Sequence, residues 1–435
     1  MKKLLCLVLC AVLSLFFVGC TSFESGTDSL LAAPKLTGEM QPVQQALEAK
    51  IGGKYQLKFP SSGETKSAIT LIDITGDGLS EAVAFYSTSS DNAVIMNIAV
   101  IQCVDGFWQV TSQESINAVG VESVHFVDLD SDKSNEIVVG WSVYGTASKT
   151  VSVYEYSADT LIKLVEEAYT AFTICDLDGN LSQDLLLFQL DLTSSRAFAR
   201  CFSFNSQGVS ELGNCEIDGN VTSYNQPVLT TLPTGEFCVF VDCIKGAGMI
   251  TEVIYFANNK MVSPLYDATL MENTVTYRPA IVPCRDYDGD GFMEIPVMYE
   301  LPTNAGVSAA NLTVWNGFDG QSLVAESYAL MNYSDGYSIK LNEQLAFSTT
   351  THRNLENRER IIYEYDYETG QTSAELFRIR VVSKSAYDSG MYAEGYAKLA
   401  ETESLVWLCT VSEKAELYGI TKDNIGDIFE LITEG

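Results

Sequence analysis

The chain has 435 residues, of which 46% are hydrophobic and 19% are charged, a composition typical of folded globular proteins. Acidic residues outnumber basic ones by 57 to 26, so the formal net charge at pH 7 is −31. Nucleic acid and anionic lipid surfaces repel a chain this acidic, and neither is predicted as a partner.

The N-terminal segment has the pattern of a targeting signal. Lys2 and Lys3 precede an apolar stretch over residues 4–18, and Gly19 and Cys20 follow it. This stretch is shorter than the roughly 20 residues that span a bilayer. It resembles a bacterial lipoprotein signal, which implies that Cys20 is lipidated and becomes the mature N-terminus. Ordinary secretory cleavage and an uncleaved anchor are the alternatives.

The segment after Cys20 is expected to connect a membrane lipid to a folded body. Residues 21–34 are polar and are predicted to form a tether. Residues 40–49 are predicted to form a helix, because Gly52 and Gly53 follow as a stop signal. The protein is therefore expected at the extracytoplasmic face of a bacterial membrane, held by its lipid.

Four acidic nine-residue segments dominate the rest of the chain, and we call them loop 1 (73–81), loop 2 (128–136), loop 3 (176–184) and loop 4 (286–294). Oxygen ligands at positions 1, 3 and 5, a backbone carbonyl at position 7 and a carboxylate at position 9 can surround a hard cation such as Ca²⁺. The predicted ligands at these positions are Asp73, Thr75, Asp77, Leu79 and Glu81; Asp128, Asp130, Asp132, Ser134 and Glu136; Asp176, Asp178, Asn180, Ser182 and Asp184; and Asp286, Asp288, Asp290, Phe292 and Glu294. The alternative is a metal-free acidic turn held by its own backbone hydrogen bonds.

Apolar, β-favouring runs flank each loop, such as residues 68–72 and 82–86 around loop 1. These runs lack the amphipathic periodicity of the two helices that an EF-hand needs. Each loop is therefore predicted to join two strands.

The spacing of the loops predicts a repeat architecture. Their first residues are separated by 55, 48 and 110 residues, and 110 is twice 55. A period of about 50 residues with several short strands per unit is typical of a β-propeller. Units without an acidic loop are predicted near residues 229–236 and 339–347. The predicted fold is an all-β propeller of about seven four-stranded blades, with six blades and a C-terminal α/β segment as the alternative.

With these loops, residues 65–350 resemble the FG-GAP/VCBS repeat family, the calcium-loop propellers that include the headpiece of integrin α subunits. The resemblance implies that Ca²⁺ in the loops braces the blades and that partners bind elsewhere. The predicted domains are a signal peptide (1–20), a tether (21–34), the propeller (35–385) and a closing segment (386–435). A terminal helix is predicted from Thr421, a suitable N-cap, with apolar positions at 425, 428, 429 and 432.

Catalytic motifs are not recognisable in the sequence. There are two histidines, and no nucleophile elbow, phosphate loop or zinc-protease motif occurs. Asp218 and Glu252 are expected to be solvated surface groups. The predicted function is that of a binding or scaffold protein for a protein or glycan partner. The alternative is a surface enzyme that acts on carbohydrate or cell-wall polymer through isolated carboxylates.

The eight cysteines after Cys20 allow disulfides in an exported protein. Most lie in strand-like runs, where a buried free thiol acts as a small apolar side chain. Cys201 and Cys215, on either side of a predicted hairpin, are the best candidates for a disulfide.

Overall fold

The structure, a computed structural model, describes residues 38, 40–90, 93–143, 149–302, 310–392 and 395–432. The predicted signal peptide and tether lie outside these residues. The described part is all-β, as predicted, and consists of six sheets built from antiparallel strand pairs. None of its helices is long and apolar enough to cross a bilayer.

We number the sheets in chain order. The first contains β1 (Tyr55–Leu57), β2 (Ile69–Ile72), β3 (Glu81–Ser90), β4 (Ala93–Val104) and β5 (Phe107–Ile116). The second contains β6 (Gly120–Val127), β7 (Glu136–Ser142), β8 (Lys149–Ser157) and β9 (Thr160–Tyr169). The third contains β10 (Ala171–Cys175), β11 (Asp184–Asp191), β12 (Arg196–Asn205) and β13 (Gly208–Ile217). In these sheets, strands that follow each other in sequence are paired, except that β1 joins β3 beside β2.

The fourth sheet contains β14 (Ser223–Tyr224), β15 (Val228–Thr231), β16 (Phe237–Lys245), β17 (Gly248–Ala257) and β18 (Lys260–Val262). The fifth contains β19 (Ile295–Glu300), β20 (Asn311–Phe318), β21 (Leu323–Asn332), β22 (Tyr337–Leu341) and, from the C-terminal end, β28 (Phe429–Leu431). The sixth contains β23 (Thr349–Asn354), β24 (Glu359–Asp366), β25 (Gln371–Ser383), β27 (Leu405–Val411) and β26 (Ala397–Glu401), in that spatial order. The α-helices are α1 (Met40–Ile51), α2 (Glu343–Ala346) and α3 (Lys384–Asp388), and the 3₁₀ helices are Glu413–Tyr418 and Ile425–Ile428.

The chain divides into two compact units, and the first, Met1–Ala168, contains α1 and the first two sheets. Side chains alternate between the two faces of β3. Phe85 faces the second sheet, where its ring meets that of Trp141 edge-on at 6.0 Å. Ala84 lies on the other face, in one cluster with Leu47 of α1. Both faces of the first sheet are therefore buried, which explains the apolar runs around loop 1.

The second unit, Tyr169–Gly435, contains the other four sheets, and neighbouring sheets share hydrophobic clusters. Phe188 of the third sheet lies in one cluster with Val241 of the fourth. Cys238 of the fourth lies in another with Ile295 of the fifth. The cluster between the fifth and sixth sheets includes Trp407. Each sheet thus packs face to face on the next within its unit, as expected for apolar faces on successive repeats.

The C-terminal predictions need correction. The described residues form six sheets, and a seventh is not confirmed. The region of the predicted terminal helix contains only a 3₁₀ turn, after which β28 pairs with β22. Phe429 stacks on Tyr337 with ring centroids 5.5 Å apart. Pairing with an open sheet edge therefore overrides the helical periodicity.

Three other predictions have clear outcomes. Helix α1 is confirmed, and the turn between β15 and β16 lies where the fourth unit was predicted. Residues 339–347 instead hold the end of β22 and helix α2, so the sixth unit begins later than predicted. The Cys201–Cys215 disulfide is wrong: both thiols are free, because Cys201 pairs with Gly213 and Cys215 with Ala199 across the β12–β13 hairpin.

Candidate metal centres

The four acidic loops occupy equivalent places in four sheets. Loop 1 joins β2 to β3, loop 2 joins β6 to β7 and loop 3 joins β10 to β11. Loop 4 precedes β19 and is closed by a bridge between Arg285 and Glu294. In all four loops, position 9 pairs with the residue before position 1. This pairing brings the first and last predicted ligands together.

Backbone hydrogen bonds fold each loop around its own carboxylates. In loop 4, Asp286 accepts from the N–H groups of Gly289 and Gly291, at 2.7 and 3.1 Å. Asp290 accepts from the N–H of Phe292 at 2.8 Å. The bonds from position 6 to position 1 and from position 7 to position 5 recur in the other three loops. The loops are therefore four copies of one local structure.

Backbone conformation repeats as well, since positions 4 and 6 have positive φ in every loop. Loops 1 and 4 place glycine at both positions, which costs little. Loop 2 has Ser131 and Lys133 there, and loop 3 has Leu181 at position 6, with φ of 65°, 80° and 73°. These side chains make the left-handed conformation unfavourable, so the loop structure must be maintained by its hydrogen bonds and surroundings.

Three loops bring their carboxylates close enough together to hold a metal ion. In each, the ligand atoms of the acidic residues lie within 4.8 Å of one another. The clustered residues are Asp286, Asp288, Asp290 and Glu294; Asp128, Asp130 and Glu136; and Asp176, Asp178 and Asp184. Loop 1 has Thr75 at position 3, and its hydroxyl donates to Asp73 at 3.4 Å instead. Among the described residues, loop 4 therefore clusters four carboxylates, loops 2 and 3 cluster three each, and loop 1 forms no such cluster.

The carboxylate at position 9 is the deepest part of each site. One of its two oxygens accepts a hydrogen bond from the N–H of position 2, at 2.8 Å for Glu136 and 3.1 Å for Asp184. The other oxygens of Asp184 and Glu294 are buried without a hydrogen-bond partner, and both residues are 0% exposed. Burial, followed by neighbouring charges, raises the pKa of Glu136, Asp184 and Glu294 to about 7. A bound cation would offset the cost of burying these charges.

Loops 1 and 2 are in direct contact. Asn135 donates from its side chain to the carbonyl of Asp73 at 2.8 Å and from its backbone to that of Ile74 at 3.1 Å. A Cβ on Gly76 would lie 2.5 Å from the carbonyl oxygen of Lys133. Residue 76 must therefore be glycine for two reasons, its positive φ and this contact.

The fourth sheet, which lacks an acidic loop, contains a buried ion pair. Arg278 is 0% exposed and donates to Asp242 at 2.7 Å, to the Thr251 hydroxyl at 3.1 Å and to the Val282 carbonyl at 2.5 Å. The second oxygen of Asp242 accepts from the N–H of Cys284 at 2.9 Å. Every charge in this group has several partners, which is the condition for an ion pair to remain buried.

Asp218 and Glu252, predicted to be solvated, are both 0% exposed, so that prediction is wrong. Asp218 accepts from Lys245 at 2.7 Å, and Lys245 also donates to Glu272 at 2.9 Å. Glu252 accepts from the N–H of Asp218 at 3.0 Å and from Ser263 at 2.9 Å. Burial raises the pKa of Glu252 to about 7. These partners of Asp218 and Glu252 lie 11 to 34 residues away, and no local pattern indicates them.

Comparison with protein-family models gives no match, and comparison with curated proteins gives none either. Among solved structures, the chain is similar to rhamnogalacturonan lyase YesW, at 12% identity over 66% of this chain and 60% of that one, with a TM-score of 0.31. It is also similar to the periplasmic gluconolactonase PpgL of Pseudomonas aeruginosa, at 13% identity over 72% and 85% of the two chains, with a TM-score of 0.26.

A third similarity is to the Dos1 propeller, at 10% identity over 71% of this chain and 78% of that one, with a TM-score of 0.27. The chain thus spans 60% of the length of the lyase. At such low TM-scores these similarities assign no activity to this chain.

Proposed function

We propose that this protein is a calcium-binding protein in which cations in the acidic loops stabilise the junctions between strands. The buried carboxylate at position 9 carries this proposal. In loops 3 and 4 it places a charged oxygen without a hydrogen-bond partner beside two or three further carboxylates. Such an arrangement is unfavourable alone and favourable around a cation.

The donor atoms favour calcium over other metals. The clustered ligands are all carboxylates, which suit hard cations, and no thiol or imidazole belongs to the clusters among the described residues. Magnesium requires a small, near-ideal octahedral site, whereas calcium accepts six to eight oxygens in flexible geometry. A loop that closes around the ion with four side chains and one carbonyl fits calcium better.

We further propose that the sheets are blades of a propeller of the FG-GAP/VCBS type, serving as a binding or scaffold protein. Four equivalent loops with the same hydrogen bonds support a repeat of one unit. Affinity purification from native membranes, with the protein as bait, tests the binding role. Recovery of the same protein or glycan partner is expected in calcium, and turnover of a glycan panel without any partner would contradict this role.

Calorimetric titration with calcium tests the metal sites directly. We expect strong binding at loops 2 and 4, weaker binding at loops 1 and 3, and dissociation constants of about 0.1–1 mM for the weaker pair, as in extracellular calcium modules. Asp288→Asn should weaken one strong site, because it removes a ligand charge, whereas Glu300→Gln, at the exposed end of β19, should weaken none. Absence of calcium heat, or equal binding of magnesium, would contradict the proposal.

We also propose that the protein is attached to the extracytoplasmic face of a bacterial membrane by a lipid on Cys20, as the sequence pattern supports. Cys20→Ala should release the protein from the membrane fraction and leave its thermal unfolding unchanged. A wild-type N-terminus at Thr21 without acyl chains, determined by mass spectrometry, would show that ordinary secretory cleavage occurs instead.

A further inference from the structure

A β-bulge occurs at the same place in the first, third and fifth sheets, which carry loops 1, 3 and 4. In each sheet, the strand that follows the loop pairs with a second strand. The bulge lies between that second strand and the third, next to the first residue pair after position 9 of the loop. Its unpaired residues are Thr111, Leu212 and Glu326. A bulge changes the direction of a side chain, and bulges are frequent beside functional sites. Of these three sheets, only the fifth has a carboxylate at the bulge.

The residue facing this carboxylate is also unusual. Ile295 pairs with Asn316, so the register places Gly317 across from Glu294, the last ligand of loop 4. The equivalent residues in the first and third sheets are Gln102 and Ser203, which have side chains. Residues that face each other on antiparallel strands point to the same side of a sheet.

Because Gly317 has no side chain, the Glu326 carboxylate can occupy the space that a Cβ of residue 317 would fill. The Oε2 atom of Glu326 lies 2.8 Å from the position that a Cβ of residue 317 would take, and its Cδ lies 2.7 Å from it. Gly317 does not have a positive φ, so its backbone alone does not call for glycine. Glycine here instead allows Glu326 to lie across the sheet on the side of Glu294.

The charges of loop 4 act on this carboxylate. Burial, followed by the charges of Asp290 and Asp288, raises the pKa of Glu326. Glu326 in turn contributes to the raised pKa of Glu294. The second oxygen of Glu294 is buried and has no hydrogen-bond partner. The four carboxylates of loop 4 lie within 4.8 Å of one another. Glu326 lies outside this cluster but near enough for the charges of Asp290 and Asp288 to act on it, and a cation would relieve the repulsion among these groups.

We propose that Glu326 is a fifth carboxylate ligand of the cation bound by loop 4. This inference rests on the proposed calcium binding. With the Phe292 carbonyl, it gives the site six oxygen-donating residues, which lies within the six to eight oxygens of calcium coordination. Loop 4 is then completed from β21, a strand that the loop motif does not include.

Terbium luminescence can report on this site in the full protein. Tyr287, at position 2 of loop 4, stacks on Trp315 with ring centroids 4.4 Å apart, whereas loops 1 to 3 have Ile74, Leu129 and Leu177 at that position. Aromatic excitation should therefore sensitise Tb³⁺ chiefly in loop 4, and calcium should displace it. Glu326→Gln is expected to weaken calcium binding at this site about tenfold, because ligand charge sets affinity.

Two further variants make the result interpretable. Glu326→Thr introduces the residue of the first sheet and should weaken binding similarly. Glu300→Gln removes a charge from the same sheet and should change affinity by no more than about twofold, because solvent screens it. Circular dichroism in excess chelator verifies that all variants are folded.

The outcomes separate the two proposals. If the wild type binds and Asp288→Asn weakens binding, but Glu326→Gln behaves like Glu300→Gln, then Glu326 is not a ligand and calcium binding stands. If the wild type shows no sensitised luminescence and no calcium displacement, both proposals fall.

Discussion

Chelation of calcium is expected to lower the melting temperature of this protein by several degrees for each site that loses its ion. A cation that binds only the folded state stabilises it by about 2.7 kcal/mol per site at a hundredfold excess over its dissociation constant. For a unit of about 150–250 residues, a loss of 1 kcal/mol in unfolding free energy lowers the melting temperature by roughly 2–4 °C. Removal of the ion also leaves the carboxylates of each loop in mutual repulsion.

Differential scanning calorimetry with and without chelator measures this effect. Asp290→Ala should lower the melting temperature in calcium and reduce the calcium-dependent shift, whereas Glu300→Gln should leave the shift intact. If chelation left melting unchanged and instead abolished turnover of a carbohydrate, the ions would be catalytic. The stabilising role proposed here would then be wrong.

Arg278→Met is expected to destabilise the second unit by about 3–5 kcal/mol, because it leaves Asp242 buried without its counter-charge. The loss should be the same in calcium and in chelator, since neither Arg278 nor Asp242 belongs to an acidic loop. Urea denaturation in calcium and in chelator measures the loss in unfolding free energy.

A matched surface pair provides the control. Arg196 pairs with Glu216, and their side chains are 60% and 42% exposed. Arg196→Met should therefore change stability by no more than about 1 kcal/mol. A similarly small effect of Arg278→Met would show that Asp242 becomes protonated or solvated at little cost, and that the buried pair does not maintain the fourth sheet.

The sequence was sufficient to predict those elements that depend on residues close together in the chain. The loop motif predicted the strand–loop–strand units, because ligands at alternate positions and β-favouring flanks are both readable within fifteen residues or so. Helix α1 was predicted from its glycine stop for the same reason. The period predicted repeated units, and the turn between β15 and β16 lies at the expected place.

The rest depends on pairing between distant residues. The partner of β28 is β22, about 90 residues earlier, and local periodicity favoured a helix there instead. Asp218 and Glu252 resembled surface acids because their partners, Lys245 and Ser263, lie 27 and 11 residues away in the sequence. Glu326 belongs to no motif, and only the strand register places it near loop 4.

The contact between loops 1 and 2 has a consequence for the order in which the loops can fold during synthesis. Asn135, which holds the Asp73 carbonyl, lies 62 residues further along the chain. When the polypeptide emerges N-terminus first, loop 1 remains without this support until almost the whole of loop 2 has emerged. The first acidic loop to emerge is therefore not the first to be completed, because its folding waits for the second sheet.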